Sequence, residues 1–157
     1  MPVKGVKDVP AFSGEGMDIV DEAIHMFRAI IMFRNYKPQG GADKLIVFLT
    51  IFIQKCLEDI GRKPELANAE TAVGNLVKDA VPTSGDQKFY MRKLGLVTQS
   101  KGNAEEEKFR KYMQTLKDEC GKRLLDTLYK QPQGTMDLKF WLMFGKRPFL
   151  GMKYKEL

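Results

Sequence analysis

Residues Lys44–Gly61 read KLIVFLTIFIQKCLEDIG, and the reading of this stretch decides the fold. From Leu45 to Ile53 there is no charge and a single hydroxyl, that of Thr50. A membrane-spanning helix needs about 20 apolar residues. This run is shorter and is closed by Asp43 and Lys44 on one side and Gln54 and Lys55 on the other. Its β-branched and aromatic residues would suit a strand. Cys56, Leu57 and Ile60, however, continue the apolar face at helical spacing. Gly40-Gly41 precedes the run, and Gly61 with Lys63-Pro64 ends it. The pattern predicts a helix from Ala42 to Ile60, roughly 28 Å long. Its middle is apolar all round, as in a helix enclosed by other helices. Burying the large side chains of Leu45–Ile53 contributes roughly 12–24 kcal/mol before conformational entropy. Thr50 is expected to place its hydroxyl on the carbonyl one turn back.

The enclosing helices follow from the same periodicity. Met17–Arg34 presents Ile19, Val20, Ala23, Ile24, Phe27, Ile30, Ile31 and Phe33 on one face, with Asp18, Asp21 and Glu22 near its N-terminus. Residues 35–41, NYKPQGG, make a turn. Pro64 opens a weaker helix, Glu65–Asp79, with Leu66, Ala69, Val73, Leu76 and Val77 on one side. Residues 80–103 lack a clear period and read as a long excursion containing Lys88, Phe89, Tyr90, Arg92 and Lys93. From Ala104 to Tyr129, with Asn103 as N-cap, Phe109, Met113, Leu116, Cys120, Leu124 and Leu128 form a helical stripe. Thr135 then caps a short helix, Met136–Phe144. Five helices without a convincing strand make an all-α single domain. Residues 1–16 read as a short N-terminal extension, 17–150 as the helical domain and 151–157 as a basic C-terminal tail.

The 157 residues are enough for one core, and a hydrophobic fraction of 43% is that of a folded chain. The N-terminus lacks the basic, apolar and small-residue order of a secretory signal. Cys56 and Cys120 have no CxxC spacing and read as reduced, buried thiols of a cytoplasmic protein. The net charge of +6 is uneven: residues 104–157 hold 12 Lys+Arg against 8 Asp+Glu, or +4, and residues 1–103 hold 14 against 12, or +2. A basic terminal surface calls for an acidic partner.

Catalytic candidates are scarce. His25 is the single histidine, and its neighbours one turn away, Asp21 and Ala29, make no metal constellation. The chain has no Gly-rich dinucleotide motif and no P-loop. Asp21-Glu22 and Glu105-Glu106-Glu107 stand at helix starts, where carboxylates compensate the helix dipole. No enzyme activity, cofactor, metal or membrane partner is expected. The aromatic and basic ending, KFWLMFGKRPFLGMKYKEL, fits either nucleotide stacking or a protein interface. Trp141 and Phe144 sit at helical spacing and read as core. Lys146, Arg147 and Phe149 follow the helix and read as contact residues. A small basic nucleic-acid-binding protein is the alternative function, although the basic residues form no recognition helix.

Several stretches resemble one family. Asp18–Ile24 is DIVDEAI, followed by Phe27, Arg28, Ala29, Phe33, Arg34, Asn35 and Tyr36. Ala42-Asp43, Thr50, Ile53, Cys56 and Leu57 continue the likeness. So do Tyr112, Leu116, Glu119, Gly121, Arg123 and Leu124, then Lys139, Trp141, Phe144, Lys146, Arg147 and Phe149. Together they resemble subunit 3 of the actin-related protein 2/3 complex, over about residues 17–150. Phe140, Gly145 and Pro148 depart from the family's Trp, Val and polar residue, and residues 64–103 match poorly.

The resemblance implies a non-catalytic structural subunit, cytoplasmic and cytoskeletal. It would pack on the actin-related protein 3 subunit and other subunits, reach the mother filament at a branch and support nucleation of branched actin filaments. It implies no nucleic-acid partner. Lys139, Lys146, Arg147 and Phe149 are the interface residues it points to. Actin-family surfaces are commonly acidic, so the cations would steer docking and Phe149 would supply apolar burial. Gly121 would be a site of close helix approach.

Overall fold

Every side chain from Leu45 to Leu57 is buried, together with Ile60. The computed structural model describes residues 1–5, 14–33, 35–81, 103–130 and 138–150. Among them are five helices and no β-strand: α1 (Ile19–Met32), α2 (Gly41–Ile60), α3 (Leu66–Lys78), α4 (Asn103–Tyr129) and α5 (Leu138–Phe144). Helix α2 packs against all four others, which is the enclosure its composition predicts. The Thr50 hydroxyl donates to the Ile46 carbonyl at 2.7 Å, so the one polar group of the apolar run is satisfied within its own helix.

The burial runs further than expected. Gln54 and Lys55, read as the polar end of the run, are also buried. Each finds partners: the Gln54 amide donates to the Arg147 carbonyl, and Lys55 Nζ lies 2.8 Å from Asp59 and 3.3 Å from Glu58. A buried polar group costs little once paired. At the start of α2 the Asp43 carboxylate accepts from the Gly40 and Gln39 N–H groups at 3.1 and 2.9 Å. Gly61 ends the helix with φ −62°, so the stop is not the left-handed glycine that its position suggests.

Helix α1 begins later than predicted because Asp18 is its N-cap rather than a first-turn residue. Its carboxylate accepts from the Val20 and Asp21 N–H groups at 3.0 and 2.9 Å. At the other end Phe33 lies past the helix and is 62% exposed, contrary to its assignment to the apolar face. Leu66 on α3 is likewise exposed. Gly121 brings α4 against α3: a Cβ there would lie 2.7 Å from Val73 Cγ1. Gly145 approaches as closely and meets backbone rather than a side chain, since its Cβ would lie 2.7 Å from Glu58 N of α2. Val3, near the N-terminus, also joins the core at 1% exposed. Cys56 and Cys120 are buried free thiols. Burial pushes both upward in pKa, with Cys120 adding to the effect on Cys56. The predicted excursion (82–102 of it), the Thr135 cap and the 151–157 tail lie outside the described residues, and no described helix is long and apolar enough to cross a membrane.

Candidate protein-interaction site

Helix α5 has seven residues, and ring contacts hold it in place. Phe27 of α1, fully buried, stacks on Trp141 with centroids 5.8 Å apart and meets Phe144 edge-on at 6.3 Å. Trp141 is therefore core, as its spacing predicts. The α5 face turned away from Phe27 carries Phe140 and Met143, 43% and 64% exposed. Arg28 of α1 lies over Phe140 and Trp141, 5.6 and 5.8 Å from their ring centroids. Arg28 of α1 and Phe140 of α5 therefore share one surface.

The turn after α5 returns to α2 through Gly145. Lys146 and Arg147 are exposed in this turn, and Lys139 is exposed on α5. Arg147 Nη1 contacts Met32 Sδ at 3.3 Å, which joins the turn to the end of α1. A cavity of about 210 Å³ opens beside Lys146, between the turn and Ile51, Gln54, Lys55 and Glu58 of α2.

Phe149 does not stand with these cations at the surface. It is fully buried and belongs to the core cluster, so the free chain offers none of its ring to a partner. The cause is local. Gly145 lets the turn lie on the α2 backbone, Gln54 holds the Arg147 carbonyl, and the next apolar side chain then falls inward. Leu150 completes the reversal with φ +51°, a left-handed conformation that costs a Leu on the order of 1–2 kcal/mol. Burial of Phe149 offsets that strain.

A second polar constellation lies at the α1–α4 junction and was missed in sequence. Arg123 Nη1 reaches Asp18 at 2.7 and 2.8 Å and Asp21 at 2.8 Å. Its Nε bonds Glu119 at 3.0 Å, and Nη2 donates to the Lys4 carbonyl at 3.1 Å. The Lys4 N–H donates to Asp18 in return, and Lys4 Nζ pairs with Asp21 at 3.1 Å. Burial alone would raise the Asp18 carboxyl. The Lys4 and Asp21 N–H groups and Arg123 outweigh it and hold the carboxyl below its ordinary value. Asp21 is thus committed to Arg123 and Lys4, and His25 stands exposed. Lys117 is a further buried cation. Its ammonium donates to the Asp79 carbonyl at 2.8 Å and lies 5.7 Å from the Phe52 ring centroid. Burial pushes it below the usual lysine value, against the pull of Asp79.

The Asp18–Arg123 pair joins two of the stretches on which the resemblance rests. The P21-Arc family, the ARP2/3 complex ARPC3 (21 kDa) subunit, matches residues 1–154 of the chain. The chain belongs to this family. It is 34% identical over 152 residues to the actin-related protein 2/3 complex subunit 3 of Dictyostelium discoideum, covering 96% of this chain and 85% of that protein. It is 36% identical over 143 residues to the Arabidopsis thaliana protein of that name, covering 91% and 80%. The Schizosaccharomyces pombe protein is 32% identical over 154 residues, covering 96% and 85%. Nothing in these matches supports the nucleic-acid alternative.

Proposed function

We infer that the chain is a structural, non-catalytic subunit of the actin-related protein 2/3 complex and supports nucleation of branched actin filaments. It acts at the cytoskeleton. The family match over residues 1–154 carries this reading, because it spans the core, the Arg123 junction and the basic turn together. The chain packs on the actin-related protein 3 subunit, and Lys139, Lys146 and Arg147 belong to the surface that meets its partners. Phe149 serves that surface from beneath by fixing the turn that presents Lys146 and Arg147. The mother filament at the branch is the second partner.

Assembly tests this directly. The remaining subunits, prepared without this chain, are mixed with it and separated by gel filtration. Filament branches are then counted by microscopy with and without the chain. Co-elution at unit stoichiometry and more branches are expected. A chain that elutes alone overturns the reading.

A further inference from the structure

We propose that the groove between the start of α1 and the middle of α4 is a peptide-binding site for an extended segment in which an apolar residue is followed by Lys or Arg. In the free chain Val3-Lys4 occupies it as a strap. The site is a property of the free chain and is independent of the subunit reading. The strap is held as a bound peptide is held. Val3 supplies one apolar anchor, 1% exposed within the core. It also stands in an isolated β-bridge, the backbone pairing that strand addition uses. Both backbone groups of Lys4 are taken by side chains of the helices. Its N–H donates to Asp18 at 2.8 Å, and its carbonyl accepts from Arg123 at 3.1 Å. The Met1 carbonyl accepts from the Tyr112 hydroxyl at 3.0 Å. Contacts to the main chain give affinity and leave specificity to the side chains. Gly5 follows with φ +74°, a left-handed conformation that glycine takes readily, and a Cβ there would meet nothing within 4 Å.

Two side chains set the ligand class. Asp18, Asp21 and Glu119 all pair with Arg123, so three carboxylates meet one guanidinium in the groove. The Lys4 ammonium adds the missing positive charge: it lies 3.1 Å from Asp21 and donates to the Gly16 carbonyl. This position accepts a cation and rejects a carboxylate. The place of Val3 is closed to water and accepts an uncharged apolar side chain. A peptide supplied in trans takes over the strap's bonds and needs no new ones. It competes with a strap that is covalently linked and so present at high effective concentration.

The test vacates the site in the full chain. Val3→Asp with Lys4→Glu puts a charge into the core and an acid beside Asp21, and should lower the melting midpoint by several degrees. The amidated peptide MPVKG is then added at millimolar concentration. At ten times its dissociation constant it multiplies the folded-to-unfolded ratio about elevenfold, so the midpoint of the variant should rise toward that of wild type. Wild type should not respond, because its own strap holds the site. The same peptide carrying both substitutions should leave the variant unchanged. A variant that melts like wild type overturns the strap. No rescue by MPVKG, or equal shifts of variant and wild type, overturns the site. Rescue by both peptides overturns the apolar-basic ligand class. If the double variant does not fold alone, refolding with each peptide reads the same choice. Folded chain recovered with MPVKG alone supports the site, and none recovered with either peptide overturns it.

Discussion

Arg123 and Arg147 carry the same guanidinium and are used in opposite ways. At the α1–α4 junction Arg123 meets Asp18, Asp21, Glu119 and the Lys4 carbonyl, and its side chain is 19% exposed. At the α1–α5 face Arg147 is exposed and rests on a methionine sulfur. The first cation closes the chain on itself and leaves little for a partner. The second adds little to the fold and keeps its charge available. The difference separates residues that hold the subunit together from residues that hold it to something else, although both sets belong to stretches resembling the family. A shared motif does not tell which of the two a cation does. Its acceptors do.

Phe149 gives the largest expected effect on this division, since it follows two exposed cations and yet belongs to the inner set. Phe149→Ala should destabilise the free chain by about 3–5 kcal/mol, the range for a truncated core phenylalanine. Urea unfolding of the isolated subunit measures it. A loss below about 1 kcal/mol would return Phe149 to the surface and restore it as an interface anchor.

Arg123→Ala comes next. It leaves Asp18, a fully buried carboxylate side chain, without its cation. The expected cost is about 3 kcal/mol, the low end for breaking a buried pair because Arg123 keeps a solvent edge. Arg123→Lys should recover part of this, since an ammonium cannot bridge Asp18, Asp21 and the Lys4 carbonyl together. If Arg123→Ala melts like wild type, the junction is no more structural than the exposed face and the comparison fails.

Acid sharpens the same contrast. Asp18 is held below its ordinary value of 3.8, so its contribution is fully present above that pH and is lost as pH falls through the lowered folded value. The wild-type midpoint should hold on descending from pH 7 to about pH 5 and fall below about pH 4. Asp18→Asn should start from a lower midpoint and show a shallower acid slope. Equal slopes would show that Asp18 is not a source of the acid sensitivity.

How much was legible follows from the same physics. The enclosure of α2 could be read from composition, because an uncharged stretch with helical continuation has few other solutions. Trp141 could be read from spacing and Gly121 from its place inside a helix. The Arg123 junction could not, because Asp21 and Asp18 lie 102 and 105 positions away and periodicity, which reaches only Glu119, carries no information at that range. Asp21 was weighed against His25, its neighbour on the same helix, when its partner was on another. Phe149 was misplaced for a related reason. Its direction is set by a backbone reversal through Gly145 and Leu150, and a residue past the end of a helix has no period from which to infer a face. Phe33 failed at the same kind of boundary, one residue beyond α1.

The smallest expected effect on folding is also the most direct test of the outer set. Lys146 and Arg147 are exposed, and neither meets a carboxylate among the described residues, so Lys146→Ala with Arg147→Ala should change the stability of the free chain by no more than about 0.5 kcal/mol. The Arg147 carbonyl that Gln54 binds is backbone and survives the substitution. Association should weaken mildly, by less than the loss of an apolar anchor, because rim charges contribute through long-range attraction and are screened. That weakening should be visible at low ionic strength and shrink as the Debye length contracts from about 30 Å at 0.01 M to about 8 Å at 0.15 M salt. The association rate should carry most of it, since steering acts before contact. A large drop in the free chain's midpoint would place these two side chains among the structural residues with Arg123. A large loss of affinity that is indifferent to salt would make them buried hot spots rather than a steering rim.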